Sequence, residues 1–349
     1  MPRRHPRRAI RERPPGVSCS LAMTWIVTVI VCPLAIWGCC ALWYRAPGAR
    51  ALRILTAALW AAFSLAILLT LALSPPRMAL AVAVFAAGFG ALLLWWRHLL
   101  PSNDRVWADD VARMTSGSVE GHRVVLHNVR NFDWRGVTDY TQRWETRSYD
   151  LDRLASVDLV VSYWTIRAIA HVLISFGFDD GDQVVFSVEI RREKDEEFSA
   201  IGGFFKEFEL SVLAADERDV IRLRTNVRGE DDYLYRLRLP PAAMRSLFLA
   251  YVEQANRLVR APRFYNTVTV NCTTLVHQMM NHIVGNLPLD YRLVFSGYLP
   301  GYVYQVGGLD PRYTLEELRA LGRITERARM SDRSASFSAD IRRGVPALP

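Results

Sequence analysis

The sequence predicts a mixed α+β domain that follows three membrane-spanning helices. Three apolar runs open the chain, and each has about the 20 residues that a helix needs to cross the hydrocarbon core. After Pro101 the composition becomes that of a soluble protein, and runs rich in β-branched and aromatic residues predict strands. Apolar residues at helical spacing then predict helices at 240–260 and from Asn271 to Gly285.

The apolar runs divide the first part of the chain. They lie at 21–44, 52–73 and 78–96. A cleaved signal peptide is a weaker interpretation of the first run, because that run is longer than a usual signal core and further spans follow it. We therefore assign 1–20 to a basic cytoplasmic tail and 21–98 to three transmembrane helices.

The charge is uneven along the chain. The net charge is +8, of which residues 1–16 supply +5 and residues 17–98 another +5, so the remainder carries 8 − 5 − 5 = −2. A domain with a slightly negative net charge binds the phosphate backbone of nucleic acids poorly, so we expect no nucleic-acid partner. Arginine accumulates on the cytoplasmic side of membrane helices, so six N-terminal arginines place the start of the chain inside. Arg45, Arg50 and Arg53 in the first loop oppose this orientation. If the N-terminus lies in the cytoplasm, three membrane spans place the soluble domain outside the cytoplasm.

The soluble part is predicted from short sequence patterns. Strands are predicted at 156–164, 170–178, 183–190 and 233–239. The turn "DDGD" at 179–182 makes the second and third of these a hairpin. The Ser- and Arg-rich end of the chain, 326–349, is predicted to be disordered. The soluble domain is therefore expected to cover 99–325.

Cys272 is the only cysteine after residue 40, so a disulfide framework is excluded. A lone cysteine is by default a small buried hydrophobe. Here, however, Asn271 is a good N-cap and Cys272 falls at the first helical position, where the helix dipole and free amides lower a thiol pKa. The same amides can hold an oxyanion, so Asn271 and Thr273 are candidate cap and oxyanion residues.

A thiol nucleophile needs a base, and His171 is the candidate because it lies in an apolar strand where an imidazole must find a partner. The alternative is a hydrogen-bonded core histidine without a catalytic role. If Gly177 pairs with Gln183, Glu189 lies opposite His171 and can orient the imidazole. Otherwise Glu189 is a surface glutamate. No metal motif is present, and we expect neither a metal nor another cofactor.

Several separated motifs resemble one known family over roughly 125–300. They include "VDLVVSYW", "AHVLISFGFDDG", "VEIRREKDEEFSAIGGFF" and "FYNTVTVNCTT", in this order. Together they resemble the Lnb N-terminal periplasmic domain family. The resemblance implies a circularly permuted papain-like (NlpC-type) fold, in which the strand of His171 precedes the helix of Cys272.

The resemblance also implies an activity, because the family is named after a bacterial lipoprotein N-acyltransferase. We therefore expect a thiol acyltransferase in the inner (cytoplasmic) membrane, with a periplasmic catalytic domain. Its partners would be a phospholipid acyl donor, a lipoprotein acceptor and the membrane. One alternative is a papain-like cysteine hydrolase of the cell envelope, which would have an open polar cleft. Another is a non-catalytic accessory protein, in which Cys272 and His171 would lie apart. Residues 295–308 would form either a lipid-facing loop or a packed one.

Overall fold

A computed structural model describes residues 15–348 of the chain, with side chains for 22–74 and 76–348. The first fourteen residues of the predicted basic tail lie outside the described residues. The chain divides between Leu100 and Pro101 into two compact units, one made of long helices and one that contains a large β-sheet.

Three helices form the first unit: α1 (Pro15–Arg45), α2 (Arg50–Leu73) and α3 (Met78–His98). All three are long and apolar enough to cross a membrane, which confirms the predicted spans. Leu71 and Phe85 pack between the helices, whereas Trp25 and Leu73 are 70% and 78% exposed. Large apolar side chains at such exposure are suited to a hydrocarbon environment.

The second unit is built on an eight-stranded sheet. Its strands run in the order β1-β2-β9-β8-β7-β6-β10, and β5 pairs with β2 outside this path. Within residues 101–348 all strand pairs are antiparallel except a single parallel bridge between β2 and β9. The strands are β1 (Ser116–Glu120), β2 (Arg123–Arg130), β3 (Asp133–Trp134), β4 (Tyr140–Thr141), β5 (Trp144–Asp150), β6 (Leu154–Tyr163), β7 (His171–Phe178), β8 (Gln183–Arg191), β9 (Glu209–Ala215) and β10 (Asp231–Arg236).

Helices cover both faces of this sheet, so the fold is mixed α+β as predicted. They are α4 (Glu217–Arg222), α5 (Pro241–Arg260), α6 (Thr274–Val284), α7 (Leu299–Gln305), α8 (Leu315–Gly322), α9 (Thr325–Met330) and α10 (Phe337–Ile341). On one face, Phe176 of β7 packs against Phe248 and Tyr251 of α5. On the other, Leu173 belongs to the core that includes Phe337 of α10. Successive strand residues point to opposite faces, and both faces are covered, which explains why β6, β7 and β8 are buried almost throughout.

The central hairpin has the predicted register. Gly177 pairs with Gln183 and Leu173 with Ser187, so the positions of each pair sum to 360. The same sum places His171 in line with Glu189. Strand β6 lies on the other side of β7, where Ser162 pairs with His171. His171, at the start of β7, therefore has a neighbouring strand on each side.

The end of the chain is folded, so the predicted disorder of 326–349 is wrong. Phe337 and Ile341 are fully buried. Arg342 donates to Glu217 at 2.5 Å and to Asp158 at 2.9 Å, and both carboxylates are buried beneath it. Composition alone predicts disorder here because serine and arginine dominate the segment, but two apolar anchors and a buried ion pair are sufficient to fix it.

Candidate active site

His171 is the first residue of β7, at the end of the sheet where β6 and β8 also terminate. Its Nε2 lies 2.6 Å from Ser187 Oγ and 3.2 Å from Glu189 Oε1. Both partners are on β8, on the face that the register predicts. Because Nε2 faces these two oxygens, Nδ1 is the ring nitrogen available to a reacting group.

Glu189 is held by more than the histidine. Its Oε1 accepts from Ser187 Oγ at 2.7 Å and from Arg224 Nη2 at 3.2 Å. The Arg224 side chain is 7% exposed, and its Nη1 lies 3.6 Å from Glu230 Oε2. The carboxylate that contacts His171 is therefore fixed between a hydroxyl and a buried guanidinium.

Arg224 lies on a short π-helix, Leu223–Val227, directly after α4. A π-turn is rare and frequently occurs at functional sites, because it re-aims a side chain that a regular helix would direct elsewhere. Here it directs Arg224 to both Glu189 and Glu230. Ser162, the β6 partner of His171, donates to Glu230 and closes this polar network.

Cys272 lies at the start of the helix that contains α6. The regular helix begins at Thr274, two residues later than predicted, but the carbonyl of Asn271 already accepts from the amide of Leu275 at 3.1 Å. The side chain of Asn271 accepts from the amides of Thr273 and Thr274, each at 2.9 Å. Asn271 is thus the N-cap in hydrogen-bonding terms, as predicted, and it positions Cys272.

Thr273 has a more limited role than the sequence predicts. Its amide donates to Asn271 Oδ1, so in this geometry it stabilises the turn and does not point at a reacting oxygen. Its hydroxyl lies 3.8 Å from Cys272 Sγ. Thr273 is 1% exposed, so its side chain packs beside the thiol.

The structure brings Cys272 and His171 together. The imidazole of His171 is close enough to the Cys272 thiol to act on its ionisation, and so is the backbone amide of Val172, the residue after His171. Cys272 is 7% exposed and the His171 side chain 15% exposed, so the pair is largely buried. These are the contacts expected of a thiol and its base.

The charges of the site alter both pKa values. Burial alone would lower the pKa of His171, but the Glu189 carboxylate outweighs it and raises that pKa to about 9, with Arg224 opposing. Burial would raise the pKa of the Cys272 thiol, but the hydrogen bond and charge of His171 lower it below its ordinary value. Burial would also raise the pKa of Glu189, but the charges of His171 and Arg224 hold that pKa well below its usual range. The arrangement favours a thiolate beside an imidazolium.

Two site residues escaped the sequence analysis. Ser187 lies two residues before Glu189 on the same strand face, so the strand pattern could have indicated it. Arg224 could not be found in this way, because the arginine-rich stretch around it gives no signal for a π-turn. Among residues 15–348 no group of three His, Cys, Asp or Glu side chains could hold a metal ion.

Residues 140–297 match the family model described as the Lnb N-terminal periplasmic domain. The matched segment contains His171, Ser187, Glu189, Arg224 and Cys272. Comparison with curated proteins and with solved structures gives no match. The match and the three apolar helices indicate a membrane-associated enzyme of the cell envelope.

Proposed function

Because residues 140–297 match the model of the Lnb N-terminal periplasmic domain family, we propose that this chain is a membrane-tethered thiol acyltransferase. It would move a fatty acyl chain from a phospholipid to the N-terminal amine of a lipoprotein, through a thioester on Cys272. The observation that supports this most directly is the proximity of Cys272 and His171 at a helix start, with Glu189 fixed behind the imidazole.

In the first half-reaction the Cys272 thiolate attacks the carbonyl carbon of the lipid ester. The tetrahedral intermediate carries an oxyanion, and the backbone amide of Cys272 at the helix start is the proposed donor, since Asn271 already takes the next two amides. The ester C–O bond then breaks. His171 gives its proton to the departing glycerol oxygen, leaving a lysophospholipid and a thioester.

In the second half-reaction the amine attacks the thioester carbonyl. His171, now neutral, takes a proton from the attacking nitrogen as the new C–N bond forms. The C–S bond breaks, the amide leaves, and the thiolate is restored beside the imidazolium. The amide product is more stable than the ester donor, and the thioester between them is the activated intermediate, so the overall transfer needs neither an external energy source nor a cofactor.

The roles of the remaining site residues follow from their contacts. Glu189 fixes the imidazole through Nε2 and stabilises its charged form. Ser187 bridges the two groups at 2.6 and 2.7 Å, and Arg224 keeps the carboxylate ionised and in place. These three are positioning residues, because none of them reaches the sulfur in the described contacts.

The competing interpretations fit less well. A non-catalytic accessory role requires Cys272 and His171 to lie apart, whereas the two side chains are close enough to shift each other's pKa. A peptidase or amidase would have polar surroundings, yet large apolar side chains such as Ile166, Ile201 and Phe295 are exposed on the loops beside the site. We further propose that the helices lie in the bacterial inner membrane with the catalytic domain in the periplasm, on the basis of the six N-terminal arginines.

The test is mass spectrometry of lipoprotein N-termini from cells that contain the protein, lack it, or carry Cys272→Ser. We expect an N-acylated terminal cysteine with the wild-type chain, and none in cells that lack the protein or carry Cys272→Ser. Cys40→Ser, a matched change in a membrane helix, is the control and should retain the product. Equal N-acylation in cells that lack the protein would contradict the proposal, and so would full activity of Cys272→Ser.

A further inference from the structure

Large apolar side chains are exposed on the loops at the end of the sheet that bears Cys272 and His171. We call this set the apolar rim. It consists of Trp164, Ile166, Ile169, Phe198, Ile201, Phe204, Val268, Tyr291, Val294, Phe295 and Tyr298, each at least 38% exposed. Scattered exposed apolar residues are ordinary, but a group of this size in one region marks an interaction surface.

One group of the apolar rim lies directly beside His171. The loop 164–170 leads into β7, and Ala170, the residue before His171, exchanges hydrogen bonds with the Ser296 hydroxyl in both directions. The amide of Gly297 donates to the carbonyl of Ala168 at 3.1 Å. A Cβ at Gly297 would lie 2.0 Å from the carbonyl of Arg167, so only glycine permits this contact. The loops 164–170 and 291–298 therefore form one surface.

The other group lies beside Cys272. The loop 198–204 contacts the segment before the cysteine, where Thr267 Oγ1 donates to the Ala200 carbonyl at 3.0 Å. The side-chain amide of Asn271 donates to the carbonyl of Thr267 at 2.8 Å, which links this loop to the helix start. One group of the apolar rim thus neighbours His171, and the other neighbours Cys272.

The composition of the rim is that of a membrane interface. Residues 198–205 and 293–309 carry no charge. Aromatic residues with a polar edge, such as Trp164, Tyr291 and Tyr298, are the types that are enriched at the level of lipid headgroups. Ser296 and Leu299 are buried, so the backbone that presents these side chains is fixed.

The chain enters the second unit at this same end of the sheet. The amide of Ser102 donates to Glu209, the first residue of β9, at 3.2 Å. Arg191, the last residue of β8, donates to Asn103 at 3.1 Å. Ser102 follows α3, which ends at His98, after three residues, so the chain that bears the apolar rim also carries three helices apolar enough to cross a bilayer.

We propose that the apolar rim docks on the phospholipid surface of that bilayer and presents the ester region of a lipid to Cys272. The docking deepens the proposed function, since it assigns a membrane-embedded phospholipid as the donor. A buried thiolate cannot reach a lipid ester that stays at headgroup depth unless the surface around the thiolate enters the same layer. A second copy of the chain or a protein partner on the rim is the competing occupant.

Photocrosslinking on the full chain tests the docking separately from catalysis. Benzoylphenylalanine is placed at Ile166 or Ile201, one in each group, or at Val137 as the control. These residues have matched exposures of 59%, 57% and 58%. Trp134 donates to Asp219, in the helix that follows the far end of β9. Val137, three residues after Trp134, is therefore at the end of the sheet opposite to the site.

The proteins are reconstituted in vesicles of equal parts phosphatidylethanolamine and phosphatidylglycerol, irradiated, and analysed by mass spectrometry. We expect phospholipid-mass adducts several-fold more abundant at Ile166 and Ile201 than at Val137, also in a Cys272→Ser background. Lipid adducts no more abundant than at Val137 would overturn the docking, as would crosslinks mainly to a second copy or another protein. Lipid adducts without any acyl-enzyme in the wild type would support the docking and reject the proposed function.

Discussion

Replacing Glu189 with glutamine should shift the pH dependence of Cys272 reactivity in a defined direction. The carboxylate contacts His171 Nε2 at 3.2 Å and outweighs the effect of burial, raising the pKa of His171 from 6.5 to about 9. That difference of 2.5 units corresponds to about 3 kcal/mol in favour of the imidazolium. Because the folded-state pKa is raised, this stabilisation is fully present below pH 6.5 and is lost as the pH rises through about 9.

Without the carboxylate, burial and Arg224 still lower the pKa of His171, and of the causes that raised it only the contact with Cys272 remains. Its pKa should then return to the ordinary value of 6.5 or fall below it. At pH 7.5 a histidine with a pKa of 6.5 is about one-tenth protonated, so the thiolate–imidazolium pair should be depleted about tenfold or more. The Cys272 thiol and the His171 imidazole titrate as a coupled pair, so a pKa read from the pH profile belongs to the pair and not to either group alone.

The assay is the rate of Cys272 alkylation by iodoacetamide across pH 5 to 10, read by peptide mass spectrometry so that the membrane cysteines do not interfere. Glu253→Gln, the same change on the exposed face of α5, is the control, because that side chain is 50% exposed. If Glu189→Gln and Glu253→Gln both keep the wild-type profile, the carboxylate does not control the imidazole and this part of the account fails.

Three further predictions concern the charge network, the fold and the topology. Arg224→Gln removes a charge that lowers the pKa of His171, so the pH at which the imidazolium loses its proton should rise, opposite to the effect of Glu189→Gln. A fall in that pH would contradict the proposed charge network. Phe337→Ala should cost about 3–5 kcal/mol of unfolding free energy because the ring is fully buried, whereas Met330→Ala, at 80% exposure, should cost little in urea titrations of the full chain. A reporter fused after residue 110 should be active outside the cytoplasm and one fused before residue 20 inside, and the reverse pattern would reject a periplasmic catalytic domain.

The parts of the fold that the sequence predicts are those with strong local patterns. The apolar helices, the hairpin of β7 and β8, and helix α5 all appear in the structure. Strands β1 to β5 and β9 are not among the predicted strands. Strands β1 and β5 alternate weakly and carry many exposed polar residues, so their pairing depends on neighbours distant in sequence.

The candidate site shows the same division. The register of one hairpin was sufficient to place Glu189 opposite His171, and the cap at Asn271 was sufficient to place Cys272 at a helix start. The contact between Cys272 and His171 joins elements about a hundred residues apart, so the residues alone left a core histidine as the alternative, and the resemblance to a known family favoured the contact. Residues 295–308 are partly packed, because Leu299 and Tyr302 are buried while Phe295 is exposed.

The central claim is that Cys272 carries the acyl chain. Intact-protein mass spectrometry of the reconstituted full chain, with phospholipid present and an amine acceptor withheld, tests it directly. We predict a hydroxylamine-sensitive adduct of fatty-acyl mass on Cys272 in the wild type, none in Cys272→Ser, and strongly reduced adduct in His171→Ala. An adduct on another residue, or transfer activity that survives in Cys272→Ser, would contradict the claim.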